Sequence, residues 1–154
     1  MRGVLEHLDP RQQPLVVTDM EAGLEHLKRG TLEHADTLLV VVEPYFKSLE
    51  AAGRIAGLAR NLGVPTLYAV ANKVQSPRDE AAIREFCAAK DLPVAAVVPF
   101  DPDVAEAERQ GRAPVDLAPD AAAVAAIRDL AEQLTRSAER GTRNRDGEQT
   151  AAAG

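Results

Sequence analysis

Apolar residues alternate along the chain between short unbroken runs and longer stretches with helical spacing. The short runs are Leu15–Thr18, Leu38–Val42, Thr66–Ala71 and Val94–Val98. Unbroken hydrophobicity over so few residues is what a strand covered on both faces requires. Between the runs, Leu49, Ala52, Ile55, Ala56, Ala59 and Leu62 keep a helical period, as do Ile83, Phe86 and Cys87, and later Val124, Ile127, Leu130 and Leu134. Gly23 to His34 reads as a helix with Leu24, Leu27 and Leu32 inward, and residues 3–8 as a short one stopped by Asp9-Pro10.

Punctuation supports this segmentation. Glu43-Pro44 closes one strand, and Ser48 is expected to open a helix reaching Leu62. Gly63 stands where a helix C-cap belongs, and Pro65 precedes the next strand. Ser76-Pro77 and Asp101-Pro102 read as N-cap pairs with proline at the first helical position. Gly111 ends the helix that follows Pro102, and Pro119-Asp120 opens the last one. From Ser137 onward the chain turns polar and Gly/Ala-rich, which predicts a disordered tail behind a domain spanning residues 1–136.

Strands alternating with helices predict an α/β fold, a doubly wound, mostly parallel sheet in three layers. Right-handed crossovers would bring the carboxyl ends of all strands to one edge, where such sheets hold their ligands. Three of those ends carry chemically capable residues. They are Asp19-Met20-Glu21, Asn72-Lys73 and Pro99-Phe100-Asp101. Each also has a plainer role: Asp19 and Asp101 suit turn and cap positions, and Glu21 and Glu25 suit a helix start.

Composition narrows the function class. The 154 residues suffice for one domain, and a net charge of −6 gives no electrostatic reason to bind nucleic acid or an anionic membrane. No apolar run is long enough to span a bilayer, and the first residues lack a signal peptide's apolar core. The single cysteine, Cys87, excludes an internal disulfide framework and any multi-cysteine zinc site. These features predict a cytoplasmic protein. His7, His26 and His34 form no ligand pattern, so no metal site is expected. With aromatics at 3%, the core must be built from Leu, Val, Ile and Ala.

The block Asp19-Met-Glu-Ala-Gly-Leu-Glu-His-Leu27 resembles the switch segment of the MinD/ParA-type ATPases with a deviant phosphate loop. Within them it is similar to the CooC-type accessory ATPases of nickel carbon monoxide dehydrogenase maturation. The likeness continues through Leu39–Pro44, Arg54-Ile-Ala-Gly-Leu-Ala, Val70-Ala-Asn-Lys-Val, Val98-Pro-Phe-Asp-Pro-Asp and Gln110-Gly-Arg-Ala-Pro. It covers roughly residues 14–134. The resemblance implies ATP and magnesium as cofactors. It implies that Asp19 holds magnesium through water, with Glu21 and Gly23 in the switch loop beside the γ-phosphate. It implies that Asn72, next to Lys73, reads adenine, and that Pro99, Phe100 and Asp101 line the other side of the base. A homo-oligomer or a complementary ATPase half, and a metalloenzyme client, are the implied partners.

Two departures limit that reading. No Gly-rich loop ending in Lys-Ser or Lys-Thr occurs in the chain. Phosphoryl transfer depends on the charge neutralisation such a loop supplies. The Cys-x-Cys metal motif of CooC-like members is also missing. The resemblance therefore implies the C-terminal part of an ATP-binding domain, not hydrolytically competent alone. The alternative is a non-catalytic module that binds a true ATPase or its client. A receiver-like or flavodoxin-like domain with Asp19 as an exposed acid is a third reading.

Overall fold

The computed structural model describes residues 15–20 and 35–151, with side chains through Ala138. Three strands form one parallel sheet, ordered β1 (Thr37–Val42), β2 (Thr66–Val74) and β3 (Val94–Pro99). Helix α1 (Phe46–Asn61) carries the chain from β1 to β2, and α2 (Pro77–Ala88) carries it from β2 to β3. After β3 come α3 (Pro102–Arg109), the single turn α4 (Pro114–Leu117) and α5 (Ala122–Ala151). The order of elements is the βαβαβ pattern that the apolar runs predict, and the α/β class holds.

Side chains two apart on a strand share a face, and this sorts the core into two layers. On one face Val40, Val42, Ala69 and Ala71 pack with Ala52 and Ala56 of α1, and with Ile83 and Cys87 of α2. Alanine at four of these positions, none more than 2% exposed, lets α1 lie close on the strands. Gly53 serves the same end between the helices. A Cβ there would come within 3.3 Å of the Phe86 ring. On the other face Val70 and Val98 pack with Ala123 and Leu130 of α5, flanked by Ala126 and Leu134. Helices on both faces give the three-layer arrangement, but α5 covers the β2–β3 side. Val41 is left 60% exposed on the β1 side.

Local chemistry fixes the helix ends. The Ser76 side chain accepts from the Asp79 amide, with Pro77 at the first turn. Gly63 and Gly111 take φ of +78° and +63°, left-handed conformations that close α1 and α3 at little steric cost.

Three expectations are corrected. Leu15–Thr18 is not a strand: residues 15–20 carry no regular structure, and Leu15, Val16 and Val17 are exposed. A strand exists only through its neighbour's hydrogen bonds, and among the described residues no neighbour is offered. Ser48 does not open α1. The helix starts at Phe46, and the Ser48 hydroxyl accepts from the Glu43 amide instead. Ile127 lies outside the packed stripe of α5, 55% exposed, because Ala123, Ala126, Leu130 and Leu134 face the sheet. The backbone of α5 is helical through Ala151, past Ser137. The helices expected over residues 3–8 and from Gly23 to His34 lie outside the described residues.

Cys87 is fully buried among these apolar groups, and burial pushes its thiol above the ordinary cysteine value. It is expected to resist iodoacetamide in the folded protein at neutral pH and to react once the chain is unfolded in denaturant. Mass spectrometry of timed samples checks this. Equal labelling rates in both states would show that the core around α2 opens freely.

Candidate functional site at the carboxyl edge of the sheet

The strands end together in a set of tied loops. β2 runs past its pairing with β1, and its register with β3 breaks between Ala71 and Val74. Asn72 and Lys73 occupy that irregularity. Lys73 takes φ of +53°, a left-handed conformation that costs a residue with a Cβ about 1–2 kcal/mol. Such strain persists only where surrounding contacts impose it, and it concentrates at functional sites. Two contacts impose it here. Val74 carbonyl accepts from the Phe100 amide at 2.9 Å, which ties the end of β2 to the Pro99–Asp101 loop. Lys73 Nζ lies 3.0 Å from Glu43 Oε1, which ties it to the end of β1. Glu43 is held in turn by its amide's bond to Ser48 Oγ.

Glu43, by hydrogen bond and by charge, holds the Lys73 ammonium above its ordinary value of 10.5. A raised lysine contributes stability below its unfolded pKa and loses it as pH rises through the folded one. The pair is thus intact throughout the neutral range. Because Lys73 is 56% exposed, its worth lies in placement more than in stability.

Asp101 is a structural acid as well as a candidate ligand-side residue. Its Oδ1 accepts from the Asp103 amide at 3.0 Å, capping α3, and its Oδ2 accepts from the Ala123 amide at 3.4 Å at the start of α5. With both oxygens engaged, contact from this loop to a ligand falls to the backbone of Pro99–Asp101 and to Phe100, which is 47% exposed.

The structure therefore brings Asn72, Lys73, Pro99, Phe100 and Asp101 together at one edge. It does not bring Asp19 there. Asp19 is exposed, and its neighbour Met20 packs on the cluster of Ala59 and Val64, with Leu38 and Leu67. Those residues lie at the start of β1 and β2, the opposite edge of the sheet. Glu21 and Gly23 lie outside the described residues. Sequence reasoning missed Glu43 and the exposed aromatic pair Tyr45 and Phe46, 54% and 77% accessible beside it. The available signal was a carboxylate ending one strand and a lysine ending the next. A separate depression of about 530 Å³, lined by Asp103, Glu106, Gln110 and Leu117–Ala121, contains none of the predicted site residues. Among the described residues, no three His, Cys, Asp or Glu side chains gather as metal ligands, and no helix is long and apolar enough to cross a membrane.

A parallel sheet with helices on both faces and tied loops at its carboxyl edge defines an α/β protein of the class that holds ligands at that edge. Comparison finds its likeness among MinD/ParA-type and CooC-like proteins. The carbon monoxide dehydrogenase accessory protein CooC of Rhodospirillum rubrum is 40% identical over 134 residues, 87% of this chain and 48% of that protein. An uncharacterised ATP-binding protein of Methanocaldococcus jannaschii is 37% identical over 118 residues, 76% of this chain and 45% of that one. Among solved structures, the septum site-determining protein MinD of Pyrococcus horikoshii, complexed with Mg-ADP, superposes with a TM-score of 0.54 at 26% identity. That match covers 64% of this chain and 41% of that one. The chain thus spans about half the length of the relatives it matches. No protein-family model matches it.

Proposed function

We propose that this chain supplies the adenine side of a nucleotide site of the MinD/ParA type, serves an assembly ATPase of the metalloenzyme-maturation kind, and does not hydrolyse ATP alone. The observation that carries this is the strained Asn72-Lys73 turn, pinned by Glu43 on one side and by the Phe100 amide on the other. A side-chain amide donates and accepts at once, which suits the edge of a purine. Lys73, committed to Glu43, holds Asn72 in place. The Pro99–Asp101 loop flanks the base. ATP and magnesium are the proposed cofactors, with the phosphates held by a partner: a complementary ATPase half or another copy of an oligomer. For Asp19, Glu21 and Gly23 to act on the magnesium side, residues 15–20 must leave the amino edge of the sheet. Magnesium, when bound, supplies charge neutralisation of the phosphates.

The test mixes the chain with the half of the Rhodospirillum rubrum protein that it does not match, and titrates Mg-ADP and Mg-GDP. The mixture is expected to prefer the adenine nucleotide. Asn72→Ala is expected to weaken ADP about tenfold, the loss of one or two hydrogen bonds to a base, with little change for GDP. Nucleotide binding indifferent to Asn72, or none in the mixture, would reject the half-site and leave the non-catalytic interaction module, which the exposed Leu15–Val17 segment favours.

A further inference from the structure

The depression between α3 and the start of α5, about 530 Å³, is a trough with two walls. Its volume falls within the roughly 300–1,000 Å³ typical of ligand sites. Asp103, Glu106 and Gln110 stand at helical spacing and make one wall from a single face of α3. The chain from Leu117 to Ala121 makes the other, with Leu117 and Pro119 among its apolar groups. Both walls are fixed by hydrogen bonds. Asp101 Oδ1 accepts from the Asp103 amide where the first wall begins, and Oδ2 accepts from the Ala123 amide just past the second. Within the second wall the Leu117, Ala118 and Ala121 amides donate to the carbonyls of Ala113, Pro114 and Ala118. A trough held this way needs little ordering when a partner arrives.

The trough is also acidic. Asp103, Glu106 and Asp120 line it, and no lysine or arginine does. Gln110 and Arg109 hydrogen-bond to Glu106 and hold its carboxyl below the ordinary value. Asp103 and Asp120, one on each wall, form no ion pair among the described residues. The chain's own bases do not serve them. Arg128 is spent on the Pro119 carbonyl at 3.4 Å, and Arg136 stands about 21 Å beyond Ala122 along the axis of α5. Among the described residues no three carboxylates gather as metal ligands, which leaves a bare divalent cation without a ligand set. We propose that this trough is a docking groove for a basic amphipathic segment of a partner protein, whose lysines or arginines meet Asp103 and Asp120 while an apolar residue covers Leu117 and Pro119. The occupant follows from charge complementarity: unpaired carboxylates flanking an apolar wall select a cation and a hydrocarbon together. The groove stands whether or not the sheet edge binds nucleotide.

The experiment titrates the full chain, without nucleotide, into a fluorescein-labelled peptide of about twelve residues with Lys and Leu at helical spacing, and reads polarisation. Saturable binding is expected at about 10–100 μM. Asp103→Asn combined with Asp120→Asn is expected to weaken it at least about fivefold and to flatten its salt dependence. Both side chains are exposed, so this double variant is expected to melt as the wild type does. Asp129→Asn combined with Glu132→Gln removes the same charge from exposed positions of α5 outside the trough, and should leave binding within about twofold. Equal losses in the two double variants would overturn the groove, by showing attraction to the net charge of −6 alone. A peptide with Gln in place of Leu that binds as tightly would overturn the amphipathic occupant, as would spermine binding as tightly as the peptide. Self-association of the chain that Asp103→Asn with Asp120→Asn abolishes would overturn the partner, by making a second copy the occupant. No binding at about 1 mM would end the proposal outright.

Discussion

Replacing Ile83 with alanine is expected to lower the stability of the chain by about 2–5 kcal/mol, the cost of removing a large aliphatic side chain from a closed core. Ile83 is fully buried and is one of the largest side chains that are, with Leu92, Val42 and Cys87. It sits where α2 meets the sheet, in the cluster that also holds Val42, Ala56 and Ala71. Its neighbours there are mostly small and fixed to strands, so they cannot move in to fill the space. Domains of this size hold about 5–15 kcal/mol in total, so the variant could lose a third or more of its margin. Urea unfolding of the two proteins, followed by circular dichroism, measures the difference. A loss under about 1 kcal/mol would show that α2 is loosely held and that Ile83 is replaceable by water or by neighbouring side chains.

The same core shows what the amino-acid order discloses and what it hides. The runs at 38–42, 66–71 and 94–98 were legible because a strand sealed on both faces has no polar positions to interrupt it. Ser76, Asp101, Gly63 and Gly111 were legible because each acts within four residues, by a side-chain bond or a left-handed turn. Leu15–Thr18 has the composition of a strand, but pairing depends on a neighbour, which no local pattern contains. The inward face of α5 was misread at Ile127 because hydropathy favours the larger residue, whereas the sheet accepts Ala123 and Ala126. Three of the candidate ligand-side positions were placed by a resemblance and by the rule that strand ends share an edge. That rule applied to Asn72-Lys73, near the end of β2, and to Pro99–Asp101, at the end of β3. It did not apply to Asp19, which follows no strand. The Glu43–Lys73 pair joins positions 30 apart through the β1–β2 register, so only the folded sheet reveals it.

The isolated chain is expected to bind Mg-ATP at least about a thousandfold more weakly than a mixture containing a phosphate-binding half, a gap of about 4 kcal/mol. The reason is the division of labour at such a site. Asn72 and the Pro99–Asp101 backbone offer a few neutral hydrogen bonds to a base that water already satisfies, each worth about 0.5–1.5 kcal/mol net. The triphosphate carries most of the charge, and the chain offers it little. Lys73 is already paired with Glu43, and no Gly-rich loop with a lysine is present to wrap the phosphates. The overall charge of −6 opposes an anionic ligand at long range as well. Calorimetric titration of the chain alone to about 1 mM Mg-ATP should therefore give no saturating heat. Micromolar affinity in that experiment would mean that the chain builds a complete phosphate site from groups at this edge, and the half-site reading would fall. Adenosine separates the remaining possibilities. If the edge reads the base, adenosine and ATP should bind the isolated chain with similar weakness, because the phosphates gain nothing until the partner arrives.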